Sequence, residues 1–343
     1  MPTPRPIVVL GPTAGGKSDL AVQLAEAMPG ITGLQGEVLG ADSMQVYRHL
    51  DAGTAKPPHQ LRQRVPHHLI DLVEPTQRFT VRDWLDHAEA MIEDCQTRGV
   101  HPVVVGGTNL YLKALLEGLM EGPDHDEELR AGFAKRTPQD LHYELKSIDP
   151  TAAERIAPND RQRLTRALEV FKLTGRPIST MQDQWRDQPP NSYRHDPILL
   201  GLHWPAEAIN PRINLRVKAM FQPERVDPQL AADVCVNGES LPEEVLRLDD
   251  AGLLGTQARE ALGYKQCLAA LRPERHPDLA DAKLQTVDDA MERTKVLTRR
   301  FAKQQRTWLK RFANVAWIDA TDTQRSTSDT AERLVAQALR STS

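Results

Sequence analysis

Short apolar runs alternate with amphipathic stretches through the first part of the chain. Ile7–Leu10, Glu37–Ala41 and Pro102–Val105 are mostly apolar segments of strand length. Between them, Asp19–Met28 and Phe79–Arg98 carry apolar residues at helical spacing. Buried strands that alternate with amphipathic helices predict an α/β fold with a doubly wound parallel sheet.

The pattern changes in the middle of the chain and later returns. Residues 124–197 are polar and helix-rich, and Ile198–Leu202 then resumes a strand pattern. We therefore expect a small α-helical insertion at 124–197 within an α/β core made of residues 1–123 and 198–343. The other predicted elements are helices at Asn109–Glu117, Ala206–Phe221, Glu243–Leu248, Thr256–Leu271, Lys283–Phe312 and Thr330–Leu339, and a strand at Val315–Asp319.

A glycine-rich loop lies between the first strand and the first helix. It reads Gly11-Pro12-Thr13-Ala14-Gly15-Gly16-Lys17-Ser18, the pattern G-x-x-x-x-G-K-S. The glycines let successive backbone N–H groups turn into one concavity, Lys17 adds a positive charge, and Ser18 offers a hydroxyl to Mg²⁺. The context predicts a P-loop-type fold with a phosphate or diphosphate site. The motif alone leaves open which phosphate compound binds and whether a phosphoryl group moves.

The cysteine content and the length of the apolar runs indicate the cellular environment of the protein. Three widely spaced cysteines without metal-ligand spacing are typical of a reducing, cytoplasmic protein with no zinc site. No apolar run approaches the roughly 20 residues that span a bilayer, so no membrane partner is expected.

Charge is unevenly distributed. The formal net charge of −4 argues against a general nucleic-acid binder. However, the stretch from Arg293 to Arg311 contains many cations and no acid, and a second basic cluster runs from Arg155 to Arg176. Each cluster is either a solvated helix face or a polyanion-binding surface, and the long acid-free run favours the second interpretation.

Three further segments carry groups that suit phosphate chemistry. Asp42 follows the second strand, where a carboxylate would act as a general base, help to hold Mg²⁺ through water, or cap the next turn. The segment Gly106-Gly107-Thr108 would either admit a ligand close to the backbone or form a plain turn. Arg212 and Arg216 share one helix face, which either binds a diphosphate or is solvated. These alternatives stay open on the residues alone.

Taken together, these segments resemble the tRNA dimethylallyltransferases, also called tRNA isopentenyltransferases. The phosphate loop is shared with many nucleotide enzymes, whereas the combination of Gly53–Pro57, Gly106–Tyr111 and Asn159–Val170 is not. The matching stretches, in family order, are residues 11–18, 41–47, 53–57, 66–71, 105–116, 159–171, 212–220, 263–266 and 298–309. The chain lacks the Cys/His set of a C-terminal zinc finger, which favours a bacterial-type enzyme.

The resemblance implies a reaction. The dimethylallyl group of dimethylallyl diphosphate is transferred to N6 of the adenosine 3′ of the anticodon in tRNA, and diphosphate is released. It implies that Asp42 is the base, that Thr13 contacts the departing oxygen, and that Arg216, the phosphate loop and Mg²⁺ stabilise the diphosphate. The implied tRNA contacts are Asp42, Ser43, Met44, Gln45, Thr108, Arg130, Gln162, Arg163, Leu164, Thr165 and Arg166.

Other functions remain as alternatives to this prediction. An isopentenyltransferase that acts on free AMP or ADP would need no helical arm for RNA. A P-loop small-molecule kinase would require ATP. A nucleotide-dependent RNA-binding module would bind RNA without forming a product. For the leading hypothesis we expect tRNA and dimethylallyl diphosphate as partners, Mg²⁺ as cofactor, and a cytoplasmic monomer.

Overall fold

The computed structural model describes residues 3–119, 122–182, 192–322 and 326–340. By its internal contacts the chain divides into two compact units, residues 1–116 with 193–343 and residues 117–192. The first unit contains a parallel β-sheet with helices and confirms the predicted α/β fold class. No helix in the described ranges is both long enough and apolar enough to cross a membrane.

All six strands of the first unit pair in parallel, in the order β3-β2-β4-β1-β5-β6. They are β1 (Ile7–Leu10), β2 (Gly36–Ala41), β3 (His67–His68), β4 (His101–Gly106), β5 (Ile198–His203) and β6 (Ala316–Asp319). Leu10 pairs with both Gly106 and Gly201, and Ala41 also pairs with Gly106. Because these strands are parallel and in this register, the residues that follow β1, β2, β4 and β5 meet at one edge of the sheet.

The helices follow the predicted pattern closely. They are α1 (Lys17–Thr32), α2 (His59–Arg64), α3 (Val81–Thr97), α4 (Asn109–Glu117), α5 (Glu127–Ala134), α6 (Pro138–Ile148), α7 (Pro150–Arg155), α8 (Arg161–Thr174), α9 (Ile178–Gln182), α10 (Ala206–Phe221), α11 (Pro228–Val234), α12 (Leu241–Asp250), α13 (Tyr264–Leu271), α14 (Val287–Leu309) and α15 (Thr327–Arg340). A buried cluster between the sheet and α1 includes Val9, Leu24 and Val103.

The largest differences from the prediction are at the starts of two helices. The helix predicted from Lys283 begins at Val287, because Thr286 and Asp289 form a capping box there. The single helix predicted at Thr256–Leu271 is wrong in its first part. A short 3₁₀ turn ends at Glu260, and Gly263, with φ of 94°, then interrupts the backbone before α13.

The second unit has its own small core. Leu141, Leu145, Leu164 and Leu168 are each at most 1% exposed and pack between α6 and α8. Across the described part of this unit, residues 117–119, 122–182 and 192, no strand is present. Residues 183–191, at the end of the predicted insertion, lie outside the described residues.

Candidate active site

The carboxyl edge of the sheet in the first unit opens into a cavity. Its polar wall contains the phosphate loop and the end of β2, and α10 and α14 contribute one side. Its polar lining residues are Thr13, Lys17, Ser18, Asp42, Gln45, Thr54, His67, Arg216 and Gln305, and its apolar lining residues include Val38, Ala55, Pro57, Ile70 and Val105. The cavity therefore combines cations, one carboxylate and an apolar wall.

The phosphate loop has the backbone that its sequence predicts. Gly16 caps α1 with φ of 80°, and Ala14 also adopts a left-handed conformation with φ of 61°. Among the described residues, the N–H groups of Gly16, Lys17 and Ser18 have no hydrogen-bond partner. Two other N–H groups of the loop have partners within the protein, since that of Gly15 donates to Pro12 O at 3.2 Å and that of Thr13 to Gln305 Oε1 at 2.8 Å. Exposed N–H groups at a helix N-terminus form an anion site.

Lys17 places a buried cation beside these N–H groups. Its Nζ donates to Pro12 O at 2.8 Å. Burial, reinforced by the charge of Arg216, lowers the pKa of Lys17 to about 8, and Asp42 opposes this shift. Two cations held close together in a poorly solvated cavity favour an anionic ligand between them.

The two arginines of α10 have different partners. Arg216 lines the cavity and donates through Nη2 to Thr13 Oγ1, while its buried Nε has no partner among the described residues. Burial lowers the pKa of Arg216 to about 10. Arg212 instead donates to Ala14 O at 3.1 Å and stacks on Trp204. Arg216 therefore lies on the cavity wall, whereas Arg212 contacts the backbone of the phosphate loop.

Asp42 caps the turn that follows β2 and also lines the cavity. Its Oδ1 accepts from the N–H of Met44 at 2.9 Å and of Gln45 at 3.3 Å, as a capping carboxylate does. Asp42 also lines the cavity, and no described residue donates to its Oδ2. One oxygen therefore fixes the loop after β2, and the other remains available to a ligand.

Sequence reasoning missed Gln305, which joins two walls of the cavity. Its Oε1 accepts from Thr13 N at 2.8 Å, and its Nε2 donates to Gly107 O at 2.7 Å. The side chain is 2% exposed. A signal was present, because Gln305 falls on the buried stripe of α14 between Ala302 and Leu309. A polar residue on a core stripe indicates a specific partner.

Close packing explains the two glycines at the carboxyl end of β4. A Cβ at Gly107 would overlap Gln305 Nε2, and a Cβ at Gly106 would overlap Ala41 O. The glycines are therefore required by close packing against β2 and α14. Thr108, expected at the target nucleotide, accepts from Ser43 N at 3.0 Å and steadies the segment after Asp42.

The remaining residues of that segment are held at the cavity. Gln45 lines it and donates to Thr54 O at 3.1 Å and Ala55 O at 3.2 Å. Ser43 and Met44 are half-buried beside it. Lys56, in the Gly53–Pro57 loop, is fully buried and pairs with Asp51 at 2.7 Å and Asp71 at 2.6 Å. The cation of this loop therefore shapes the cavity wall and is not a phosphate ligand.

The residues expected at tRNA in the second unit divide into three groups. Gln162 and Arg163 are exposed, Arg163 by 72% of its side chain, and Thr165 is half-buried. The side chain of Leu164 is fully buried in the core of the unit, so it has no surface to offer RNA.

Arg130 and Arg166, expected at tRNA, both bind the buried carboxylate of Glu169, at 2.7 and 2.8 Å. Burial alone would raise the pKa of Glu169, but hydrogen bonds from Arg130 and Arg166 lower it to about 2. In the structure these two arginines therefore neutralise an internal acid.

Comparison with known proteins agrees with this geometry. Residues 45–312 match the sequence profile of the family described as "IPP transferase". The tRNA dimethylallyltransferase of Geobacter metallireducens is 40% identical over 92% of both chains, and that of Acetivibrio thermocellus is 37% identical over 91% of both.

Solved structures show the same relationship. The crystal structure of the tRNA isopentenylpyrophosphate transferase of Bacillus halodurans is 32% identical, with a TM-score of 0.63, and the match covers 98% of this chain and 96% of that one. A eukaryotic dimethylallyltransferase acting on tRNA is 25% identical, with a TM-score of 0.72 over 97% of this chain and 78% of that one. This chain belongs to the IPP transferase family.

Proposed function

We propose that this protein transfers the dimethylallyl group of dimethylallyl diphosphate to N6 of the adenosine 3′ of the anticodon in tRNA. The observation that carries the proposal is one cavity that is lined by Lys17, by Arg216 with its unpartnered Nε, and by Asp42, whose Oδ2 receives no hydrogen bond from any described residue. The names of the relatives support tRNA as the acceptor. A free-nucleotide or kinase function is not favoured by any of these relatives.

The cationic wall would stabilise the leaving group. As the C1–O bond of the allylic diphosphate breaks, its electron pair leaves with the diphosphate oxygen, where negative charge increases. Lys17, the Nε of Arg216 and the unpaired N–H groups at the start of α1 would stabilise that charge. Thr13 is held by Arg216 beside them and would contact the departing oxygen. The residues Val38, Ile70 and Val105 offer the prenyl chain an apolar wall.

The carboxylate would complete the substitution. Adenine N6 is a weak nucleophile because its lone pair is delocalised into the ring, so it needs to lose a proton as the new C–N bond forms. Asp42 Oδ2 is an acceptor on the cavity wall that no described residue occupies, and the hydrogen bonds to its Oδ1 hold it in place. The balanced reaction forms one C–N bond, breaks one C–O bond and passes one proton from N6 to Asp42.

A divalent ion fits the donor set of this cavity. The hydroxyl of Ser18 and the carboxylate of Asp42 are both on its wall, and no described group of three His, Cys, Asp or Glu side chains forms a separate metal cage. Mg²⁺ is ordinarily held by one or two protein oxygens together with substrate phosphates and water. We infer that Ser18 would hold Mg²⁺ there, where the ion would supply further positive charge to the diphosphate.

The helical unit of residues 117–192 would serve as the tRNA-binding insertion. Its exposed Gln162 and Arg163 are the residues of the family motif that remain available to RNA. Arg130 and Arg166 would contribute by keeping Glu169 neutralised and α8 in place. We further propose that the enzyme acts as a cytoplasmic monomer.

One assay separates the candidate functions. The protein is incubated with labelled dimethylallyl diphosphate, Mg²⁺ and tRNA that lacks the modification, with AMP in a parallel sample and without ATP. We expect label in the adenosine next to the anticodon of tRNA and none in AMP. Label in AMP alone would identify a free-nucleotide enzyme. Absence of transfer to either acceptor would refute the prenyltransferase proposal.

A further inference from the structure

Two segments that are far apart in the sequence, Gly53–Pro57 and Gly263–Gln266, are in contact in the structure. Tyr264 begins α13, and its fully buried ring lies over the backbone of Gly53. A Cβ added at Gly53 would overlap carbon atoms of that ring. Glycine is therefore required at position 53 because an aromatic ring from α13 occupies the space that a side chain would fill.

A buried carboxylate is part of the same contact. Glu244, on α12, is 1% exposed and accepts hydrogen bonds from the N–H groups of Asp51 at 3.1 Å and Ala52 at 2.9 Å. The hydroxyl of Tyr264 also donates to Glu244. Burial raises the pKa of Tyr264 well above its usual value, so the phenol stays protonated and remains a donor. Glu244 and Tyr264 thus form one buried pair that holds the residues directly before Gly53.

The loop that follows these residues forms one wall of the catalytic cavity. Thr54 and Ala55 line it, and their carbonyl oxygens accept from Gln45 Nε2 at 3.1 and 3.2 Å. The N–H of Gln45 in turn donates to Asp42 Oδ1 at 3.3 Å. A continuous series of covalent and hydrogen-bonded contacts therefore leads from Glu244, through the loop, to the carboxylate that would accept the proton.

The donors to Glu244 indicate what this carboxylate does. Burying a carboxylate is costly, and an apolar side chain of similar volume often stabilises a core as well or better. The donors to Glu244 come from two separate segments, two from the backbone before the loop and one from α13. A buried polar group that is satisfied in this way specifies one arrangement of the segments that it joins. Glu244 therefore fixes the loop against α13.

Resting on the proposed function, we propose that Glu244 and Tyr264 are positioning residues for the acceptor side of the reaction. They hold the Gly53–Pro57 loop, and through Gln45 they hold Asp42, in the arrangement that receives N6 of the target adenosine. Neither Glu244 nor Tyr264 is among the residues that line the cavity, so they act through the loop and not on the substrate. The cationic groups proposed to bind the diphosphate belong to other elements, so donor binding should not depend on this pair.

The first test compares two buried carboxylates of the same unit. In Glu244→Leu, kcat/KM for tRNA should fall by about 10- to 100-fold, because misplacing a reacting group by about 1 Å costs up to about 100-fold. KM for dimethylallyl diphosphate should not change. The matched control Glu37→Leu removes a carboxylate that is 9% exposed and pairs with His68 and Arg98 near the amino end of β2.

Urea unfolding is measured on the same preparations of both variants. Glu37→Leu should lower the free energy of unfolding without lowering kcat/KM for tRNA, because its partners do not contact the loop. Equal kinetic losses in the two variants would show a general effect of losing a buried carboxylate and would overturn the proposal. Wild-type kinetics in Glu244→Leu, or a change in KM for the diphosphate alone, would overturn it as well.

The second test uses milder variants and remains informative if Glu244→Leu does not fold. Glu244→Gln keeps an oxygen for the N–H groups of Asp51 and Ala52, so kcat/KM for tRNA should stay close to the wild-type value. Tyr264→Phe keeps the ring over Gly53 but removes the donor, and it should lower kcat/KM for tRNA by about 2- to 10-fold, as for one hydrogen bond. A Glu244→Gln variant more impaired than Tyr264→Phe, or wild-type kinetics in Tyr264→Phe, would overturn the proposal.

The double variant Glu244→Leu/Tyr264→Phe tests whether the two residues act as a unit. It should be no more impaired than Glu244→Leu, because the hydroxyl then has no carboxylate to hold. Additive losses would contradict the pairing. Transfer to tRNA by the wild-type protein in the same samples distinguishes failure of this inference from failure of the proposed function.

Discussion

The two oxygens of Asp42 allow its chemical and structural roles to be separated by two substitutions. Oδ1 holds the N–H groups of Met44 and Gln45, and Oδ2 faces the cavity without a donor among the described residues. Asp42→Asn keeps an acceptor oxygen at Oδ1 but removes the base. Asp42→Ala removes both. If the proposed mechanism is correct, the two variants should lose the same catalytic step and differ in stability.

The magnitudes follow from these contacts. Loss of a general base lowers kcat by about 10²- to 10⁴-fold, which corresponds to about 2.7–5.4 kcal/mol of transition-state stabilisation. In Asp42→Ala the free energy of unfolding should also fall by about 1–2 kcal/mol, because two backbone hydrogen bonds are lost. This fall is at the lower end of the range expected for two hydrogen bonds, since the hydrogen bond from Gln45 N is 3.3 Å long. Asp42→Asn should unfold like the wild-type protein.

Single-turnover transfer of labelled dimethylallyl to tRNA measures the chemical step, and urea unfolding measures stability. Binding of tRNA should be largely preserved in Asp42→Asn, because the backbone at Met44 and Gln45 stays in place. If Asp42→Asn transferred the prenyl group at nearly the wild-type rate, Asp42 would be a capping residue only and the proton would have another acceptor. If Asp42→Ala unfolded like the wild type, the Oδ1 contacts would not stabilise the loop.

Three further predictions concern groups whose partners the structure defines. Bound diphosphate should raise the depressed pKa of Lys17, so the affinity for diphosphate should fall as the pH rises through about 8, the pKa of Lys17 in the free protein. Calorimetry should show that the affinity of Lys17→Met depends less on pH, and identical pH dependence in the two proteins would refute the role of this amine. Gln305→Leu leaves Thr13 N and Gly107 O without their buried partner, so the free energy of unfolding should fall by about 2–5 kcal/mol, as measured by urea titration; a loss below about 0.5 kcal/mol would show that the two walls do not depend on it. Glu169, whose pKa is lowered to about 2, stabilises the helical unit at neutral pH, and this contribution should disappear as the pH falls from about 4.3 toward 2. In Glu169→Gln the free energy of unfolding of the helical unit should fall by about 1–3 kcal/mol at pH 7. This loss is smaller than for a fully buried ion pair because Arg130 and Arg166 are partly exposed. Hydrogen exchange of α8 amides would detect both effects, and an acid response retained in Glu169→Gln would contradict the assignment.

Much of the first unit could be predicted because its signals are local. A strand, a glycine loop and a helix follow one another between Ile7 and Thr32, and their hydrophobic spacing and left-handed glycine need no distant partner. The same holds for α4 and α10, whose predicted bounds Asn109–Glu117 and Ala206–Phe221 agree with the structure. The position of Asp42 after a strand also predicted its edge of the sheet.

The sequence by itself therefore determined the fold class, the glycine-rich loop before α1 and the cationic character of α14. Only the tertiary structure decided which side chains reach the cavity and which partners they contact. Thr13 meets Gln305 across 292 positions of sequence and Arg216 across 203. Arg212, four residues from Arg216, has no such role at the cavity. Local spacing places residues on a helix face, but the partner of each face depends on the strand order and packing of the whole sheet, which no short segment encodes.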